Sequence, residues 1–122
     1  MDNFTKTLVL GGSLNAYRYS YKAIESLRAH GFSVVSIGKK EGMVYDVKVE
    51  DALYTDNDIH TVTIYLSQEN QKKYEDYILS LKPKRIIFNP GAENMRLFDR
   101  AESKGIEVLN ACTLVLLSIN QY

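Results

Sequence analysis

The chain has one cysteine, Cys112, which excludes an internal disulfide and a cysteine-based zinc cluster and suits a reducing compartment. It has no excess charge either. Lys plus Arg and Asp plus Glu stand at 15 each, so no global field draws the chain to nucleic acid or to an anionic membrane, and any anion site has to be local. No apolar run approaches the roughly 18 residues that a membrane span needs, and Met1-Asp2-Asn3-Phe4 lacks the basic start and apolar stretch of a signal peptide. Repeats, linkers and low-complexity segments are missing too. These absences lead us to expect a cytoplasmic protein with neither nucleic acid nor a membrane as partner, and they leave any protein partner unknown. What is present is 122 residues, 45% of them hydrophobic, enough for one modest core. We therefore read residues 1–122 as a single domain.

The patterning alternates between strand and helix. Lys6 to Leu10 is a short apolar run of the kind buried on both faces of a sheet, and it stops at Gly11-Gly12. From Ser20 to His30, Ala23, Ile24 and Leu27 share one helical face, with Gly31 as left-handed cap. Phe32 to Ile37 is a second strand, broken by Gly38. The polar stretch from there to Asp58, with Val44, Val47 and Val49 alternating, reads as a loop with room for one short strand. Ile59 to Leu66 is a third main strand. A helix follows, capped by Ser67, with Tyr74, Tyr77, Ile78 and Leu81 at helical spacing and Pro83 barring continuation. Arg85 to Phe88 and Ile106 to Leu109 complete five strands. Helices are expected over Glu93 to Lys104, with Leu97, Phe98 and Ala101 inward, and near Thr113 to Ile119.

Such alternation implies βαβ units, whose right-handed crossovers give an α/β, Rossmann-like, doubly wound fold: a mainly parallel five-stranded sheet with helices on both faces. In an open parallel sheet ligands bind beyond the C-terminal strand ends, which directs attention to Gly11–Ser20, Gly38–Gly42, Leu66–Gln68 and Asn89–Asn94. The first segment puts glycines where backbones approach closely and delivers Arg18 and Ser20 to a helix N-terminus whose free amides suit a pyrophosphate. It is neither G-x-G-x-x-G nor a P-loop, so it supports neither NAD nor an ATPase. After the second strand stands Ile37-Gly38-Lys39-Lys40, where an NAD site carries an acidic residue. Positive charge there favours a phosphorylated ribose, which NADP and coenzyme A share, and the lysines do not choose between them.

Taken together, these segments resemble the small stand-alone coenzyme A-binding proteins of bacteria and archaea, whose domain is similar to the N-terminal domain of the succinyl-CoA synthetase alpha subunit. The likeness spans essentially the whole chain. Gly12-Ser13 and Arg18-Tyr19-Ser20 match the family's Gly-Ala-Ser and Arg-Tyr-Ser elements, with Gly12 in place of alanine, and Asn89-Pro90-Gly91 with Glu93-Asn94 resembles its later turn. The resemblance implies that Gly11, Gly12, Ser13, Arg18, Tyr19 and Ser20 hold the pyrophosphate and that Lys39 and Lys40 lie near the ribose phosphate. It also implies that Leu66 and Ser67 border the adenine, with Pro90 and Gly91 flanking the pantetheine arm. Gly38-Lys39 and Asn15-Ala16 depart from the family, which has Asn-Pro at both places. The synthetase's second domain, which carries its phosphorylated histidine, would have to follow Tyr122, so ligase chemistry is not expected.

No catalytic constellation stands out. His30 and His60 lack an evident carboxylate or serine partner. Cys112, near a helix start, is either a thiol facing the pantetheine end or, as we read it, a small core residue. Among the nine tyrosines Tyr19 is the one expected at the ligand. The charges in Gln71-Lys72-Lys73 and Glu75-Asp76 read as a solvated helix face, and no metal site is expected. The expected function is therefore binding of coenzyme A or an acyl-CoA, without catalysis, through the loops at the C-terminal ends of the strands, with this small-molecule nucleotide ligand as the partner. The alternatives are an NADP-dependent small enzyme or regulator, and a receiver-like interaction scaffold that has lost its ligand.

Overall fold

A computed structural model describes residues 5–122, so the reading of Met1–Phe4 lies outside the described residues. The strands are β1 (Lys6–Leu10), β2 (Ser33–Ile37), β3 (Gly42–Val44), β4 (Val47–Glu50), β5 (Ile59–Ile64), β6 (Arg85–Phe88) and β7 (Glu107–Asn110). They form one sheet in the order β3-β4-β2-β1-β5-β6-β7, parallel throughout except for the β3–β4 pair. The helices are α1 (Tyr19–Ala29), α2 (Gln68–Gln71), α3 (Glu75–Ser80), α4 (Met95–Glu102) and α5 (Thr113–Ser118).

Strand alternation sends side chains to both faces, and both faces are covered. Leu8 and Leu10 join Ile78 and Leu79 of α3 and Leu97 and Ala101 of α4 in one core, while Val9 packs with Ile24 and Leu27 of α1 and Leu117 of α5 in the other. Helices therefore lie on both faces, as expected. Truncating a central residue such as Leu97 to alanine would cost about 2–5 kcal/mol through lost burial and the cavity left behind.

The sheet has seven strands rather than five. The segment expected to be mostly loop is a hairpin, with Val44 directly opposite Val47 across a two-residue turn at Tyr45-Asp46. Val44, Val47 and Val49 are all buried, so their alternation marks one inward face, and β4 adds in parallel to β2. The turn carries no Asn-Gly or Asp-Gly. Tyr45 itself takes the left-handed conformation, at φ 54°, which is why the hairpin gave no turn signal.

The helix expected after Ser67 is also different. Ser67 does cap it, accepting from the Asn70 amide at 3.4 Å, but a 3-10 turn at Lys72–Tyr74 separates α2 from α3. Gln71 and Glu75, read as solvated, are buried, whereas Lys72, Lys73 and Asp76 are exposed. The 3-10 turn follows Gln71, whose side chain is drawn inward by hydrogen bonds to two backbone carbonyls. The last two helices run close to expectation, with Asn94 capping α4 through the Leu97 amide at 3.3 Å.

Candidate functional site

Strand order reverses direction at β1, with β2 on one side and β5 on the other, and there the connections after parallel strands diverge to opposite faces. A cleft of about 980 Å³ opens at these strand ends. Its walls come from the segments after β1, β2, β5 and β6.

The segment after β1 is shaped by close backbone packing. The amides of Gly11 and Gly12 both donate to the Ile37 carbonyl at 2.9 Å, so neither is left for a ligand. A Cβ on Gly12 would collide with Ser36 Oγ, and one on Gly38 with the Gly12 carbonyl. These glycines let β1 and β2 approach each other. Asn15 then turns the chain: its side chain accepts from the Tyr17 amide at 2.9 Å and its carbonyl from the Arg18 amide at 3.0 Å. No proline follows Asn15, and the asparagine side chain supplies the constraint on this turn.

That turn delivers Arg18 to the N-cap of α1. Arg18 offers no side-chain cap, so the first-turn amides of Tyr19, Ser20 and Tyr21 have no intrahelical acceptor. This end of α1 borders the cleft, where Arg18, Tyr19 and Ser20 are lining residues and Tyr19 is exposed. Lys22 Nζ sits 5.6 Å from the centre of the Tyr19 ring.

The wall after β6 is held by Asn89. Its Nδ2 donates to Thr63 Oγ1 at 2.7 Å and to the Ile64 carbonyl at 2.9 Å, and its Oδ1 accepts from the Thr113 amide at 2.9 Å. Buried and fully used, Asn89 ties β6 to β5 and to α5. Gly91 then turns at φ 91°, with its amide bonded to Glu93 Oε1 at 3.0 Å.

Of the residues expected at the ligand, Gly11, Gly12, Ser13, Arg18, Tyr19, Ser20, Lys39, Lys40, Leu66 and Pro90 line the cleft. Ser67 and Gly91 do not: Ser67 faces the start of α2 and Gly91 belongs to the turn beside Pro90. Sequence reasoning missed Asn70, Lys73 and Tyr74, which line it as well. Their i, i+3, i+4 spacing could have revealed a shared face. Tyr65 also lines the cleft; its hydroxyl is buried, and that burial pushes the phenol's pKa well up.

Charge is distributed unevenly. Arg18, Lys39, Lys40 and Lys73 line the cleft, no aspartate or glutamate does, and none of the four is in an ion pair among the described residues. Elsewhere six cations are in ion pairs, among them Lys6–Asp58 at 2.7 Å and Arg28–Asp46 at 2.8 Å. A chain of zero formal charge thus concentrates at one opening four cations that are in no ion pair among the described residues.

Cys112 and the two histidines lie outside this lining. Cys112 is half-buried at the N-cap of α5. His30 Nδ1 bonds the Ser26 carbonyl at 2.7 Å, and His60 shares a 2.8 Å hydrogen bond with Thr61 Oγ1. Among the described residues no helix is long and apolar enough to cross a membrane, and no cluster of His, Cys, Asp or Glu could hold a metal ion.

A family model described as a CoA binding domain matches residues 5–118. The crystal structure of an uncharacterized protein, 40% identical, superposes with a TM-score of 0.94 over 99% of this chain and 100% of the other. Cell-free ID.343 from Thermus thermophilus, 14% identical, superposes with a TM-score of 0.84 over 98% of this chain and 91% of its own. A hypothetical protein from Pyrococcus horikoshii OT3, 19% identical, gives 0.79 over 90% of this chain and 79% of its own. At those last two identities the likeness is one of fold. No curated protein matches the sequence.

Proposed function

The chain belongs to the CoA binding domain family, and on that premise we propose that its cleft holds coenzyme A, free or acylated, and performs no chemistry of its own. The observation that carries this reading is the set of four unpaired cations around a cleft with no carboxylate. Coenzyme A brings a pyrophosphate and a ribose phosphate, a spread of negative charge that such a cluster answers. In this arrangement Arg18 and the open amides of α1 meet the pyrophosphate, and Lys39 and Lys40 meet the ribose phosphate. Leu66 borders the adenine, and Pro90 guides the pantetheine arm. Lys73 adds a cation from the β5 side.

Isothermal titration tests this with three ligands: coenzyme A, 3′-dephospho-coenzyme A and NADP. Coenzyme A should bind most tightly, and its advantage over the dephospho form should shrink in Lys39→Ala and Lys40→Ala. No heat with coenzyme A at millimolar ligand, or tighter binding of NADP, would replace this reading with the alternative of an NADP-dependent enzyme or regulator.

A further inference from the structure

The segment after β5 buries a side chain with more polar atoms than a core position tolerates unless every one is satisfied. Gln71 exposes 0% of its surface. Its Nε2 donates to the Leu66 carbonyl at 2.8 Å and to the Ala92 carbonyl at 2.7 Å, and its Oε1 accepts from Asn94 Nδ2 at 2.9 Å. One amide therefore bridges the loop after β5 to the loop after β6, at the end of the sheet where the cleft opens. The Asn94 end is itself fixed. Asn94 Nδ2 also donates to Glu75 Oε2 at 3.1 Å, while Glu75 Oε1 takes Arg96 Nε at 3.3 Å and Arg100 Nη1 at 3.2 Å. The bridge is thus anchored from α3 to α4.

The neighbours of Gln71 make this bridge more than packing. Asn70, Lys73 and Tyr74, on either side of it in the chain, line the cleft together with Leu66, and Pro90 lines it two residues before Ala92. We propose that Gln71 is a positioning residue that sets the gap between these two walls, so that one extended ligand is gripped by both at once. The inference rests on the coenzyme A reading, in which Leu66 borders the adenine end and Pro90 the pantetheine end. Holding the walls at a fixed gap before binding removes the cost of ordering two loops around the ligand.

The test compares coenzyme A with adenosine 3′,5′-bisphosphate, a fragment that lacks the pantetheine and meets only one side of the gap. Gln71→Leu should weaken coenzyme A about tenfold while changing fragment affinity less than about twofold. Equal losses for both ligands, or unchanged coenzyme A binding, would overturn the proposal. Gln71→Glu keeps the outline of the side chain and guards against a misfolded leucine variant. Ionised, it turns a carboxylate toward two carbonyl oxygens; protonated, it regains a donor. Its coenzyme A affinity relative to wild type should therefore recover as the pH falls from about 8 to about 6, the range in which a buried carboxyl takes up its proton. A ratio that does not change with pH would overturn the proposal. If the wild-type chain binds no coenzyme A, the coenzyme A reading itself fails; if the wild type binds and both variants match it, only the clamp fails.

Discussion

Gly12 is held to glycine by what lies across the strand pair. The Cβ of an alanine would meet Ser36 Oγ, a buried hydroxyl that makes only a long 3.4 Å bond to the Val9 carbonyl. Gly12→Ala should destabilise the fold by about 1–3 kcal/mol through overpacking, and Ser36→Ala in the same chain should recover most of that. Urea unfolding of the two single variants and the double variant measures the coupling, and additive losses would contradict this account. Gly38→Ala should be worse, because its obstacle is the Gly12 backbone carbonyl, which has no rotamer to change. At the cleft, Lys73→Ala should weaken coenzyme A by about threefold to tenfold, with a shallower dependence of affinity on salt than in wild type. Titration at two ionic strengths reads both effects; an unchanged affinity would remove Lys73 from the site.

The elements show where the sequence was legible and where it was not. β1, β2, β5, β6 and β7 were readable because each couples an apolar run to a glycine or polar stop, and α1 and α4 because apolar spacing and caps agree. The β3–β4 hairpin escaped because its turn rests on a strained Tyr45 rather than on glycine or asparagine, and because three valines among charges are a short signal. That strain is testable. Tyr45 is 72% exposed and left-handed, so Tyr45→Asn, which tolerates this conformation, should raise stability by about 0.5–1 kcal/mol in thermal or urea unfolding. A loss would mean that the tyrosine ring contributes more to the hairpin than its backbone costs. The 3-10 break after α2 escaped for a different reason. Gln71 and Glu75 look solvent-facing by residue type, and only their distant partners Ala92, Asn94, Arg96 and Arg100 make burial tolerable. Most of the cleft was foreseeable, since strand ends in an α/β sheet define it. Lys73 was hidden by the assumption that charges along that helix face water.

Across the whole molecule, several charges outside the cleft are tied in pairs, while the four cations that line it are in no ion pair among the described residues. The paired carboxylates respond to acid. Hydrogen bonds from Arg28, Lys6 and Arg100 hold Asp46, Asp58 and Asp76, respectively, below the ordinary carboxylate range. A carboxyl whose pKa is lower in the folded chain than in the unfolded one adds stability above the unfolded value, and that contribution is lost as the pH falls through the folded value. The melting temperature should therefore decline between about pH 5 and pH 3, and less steeply in Asp46→Asn or Asp58→Asn. An equally steep decline in those variants would contradict the pairing. The open cations carry the functional claim, and native mass spectrometry of the chain as purified, then with added coenzyme A and separately with NADP, tests it most directly. The account predicts an adduct of coenzyme A mass, copurified or added, that is lost in Arg18→Ala; no such adduct, or one with NADP alone, would contradict it.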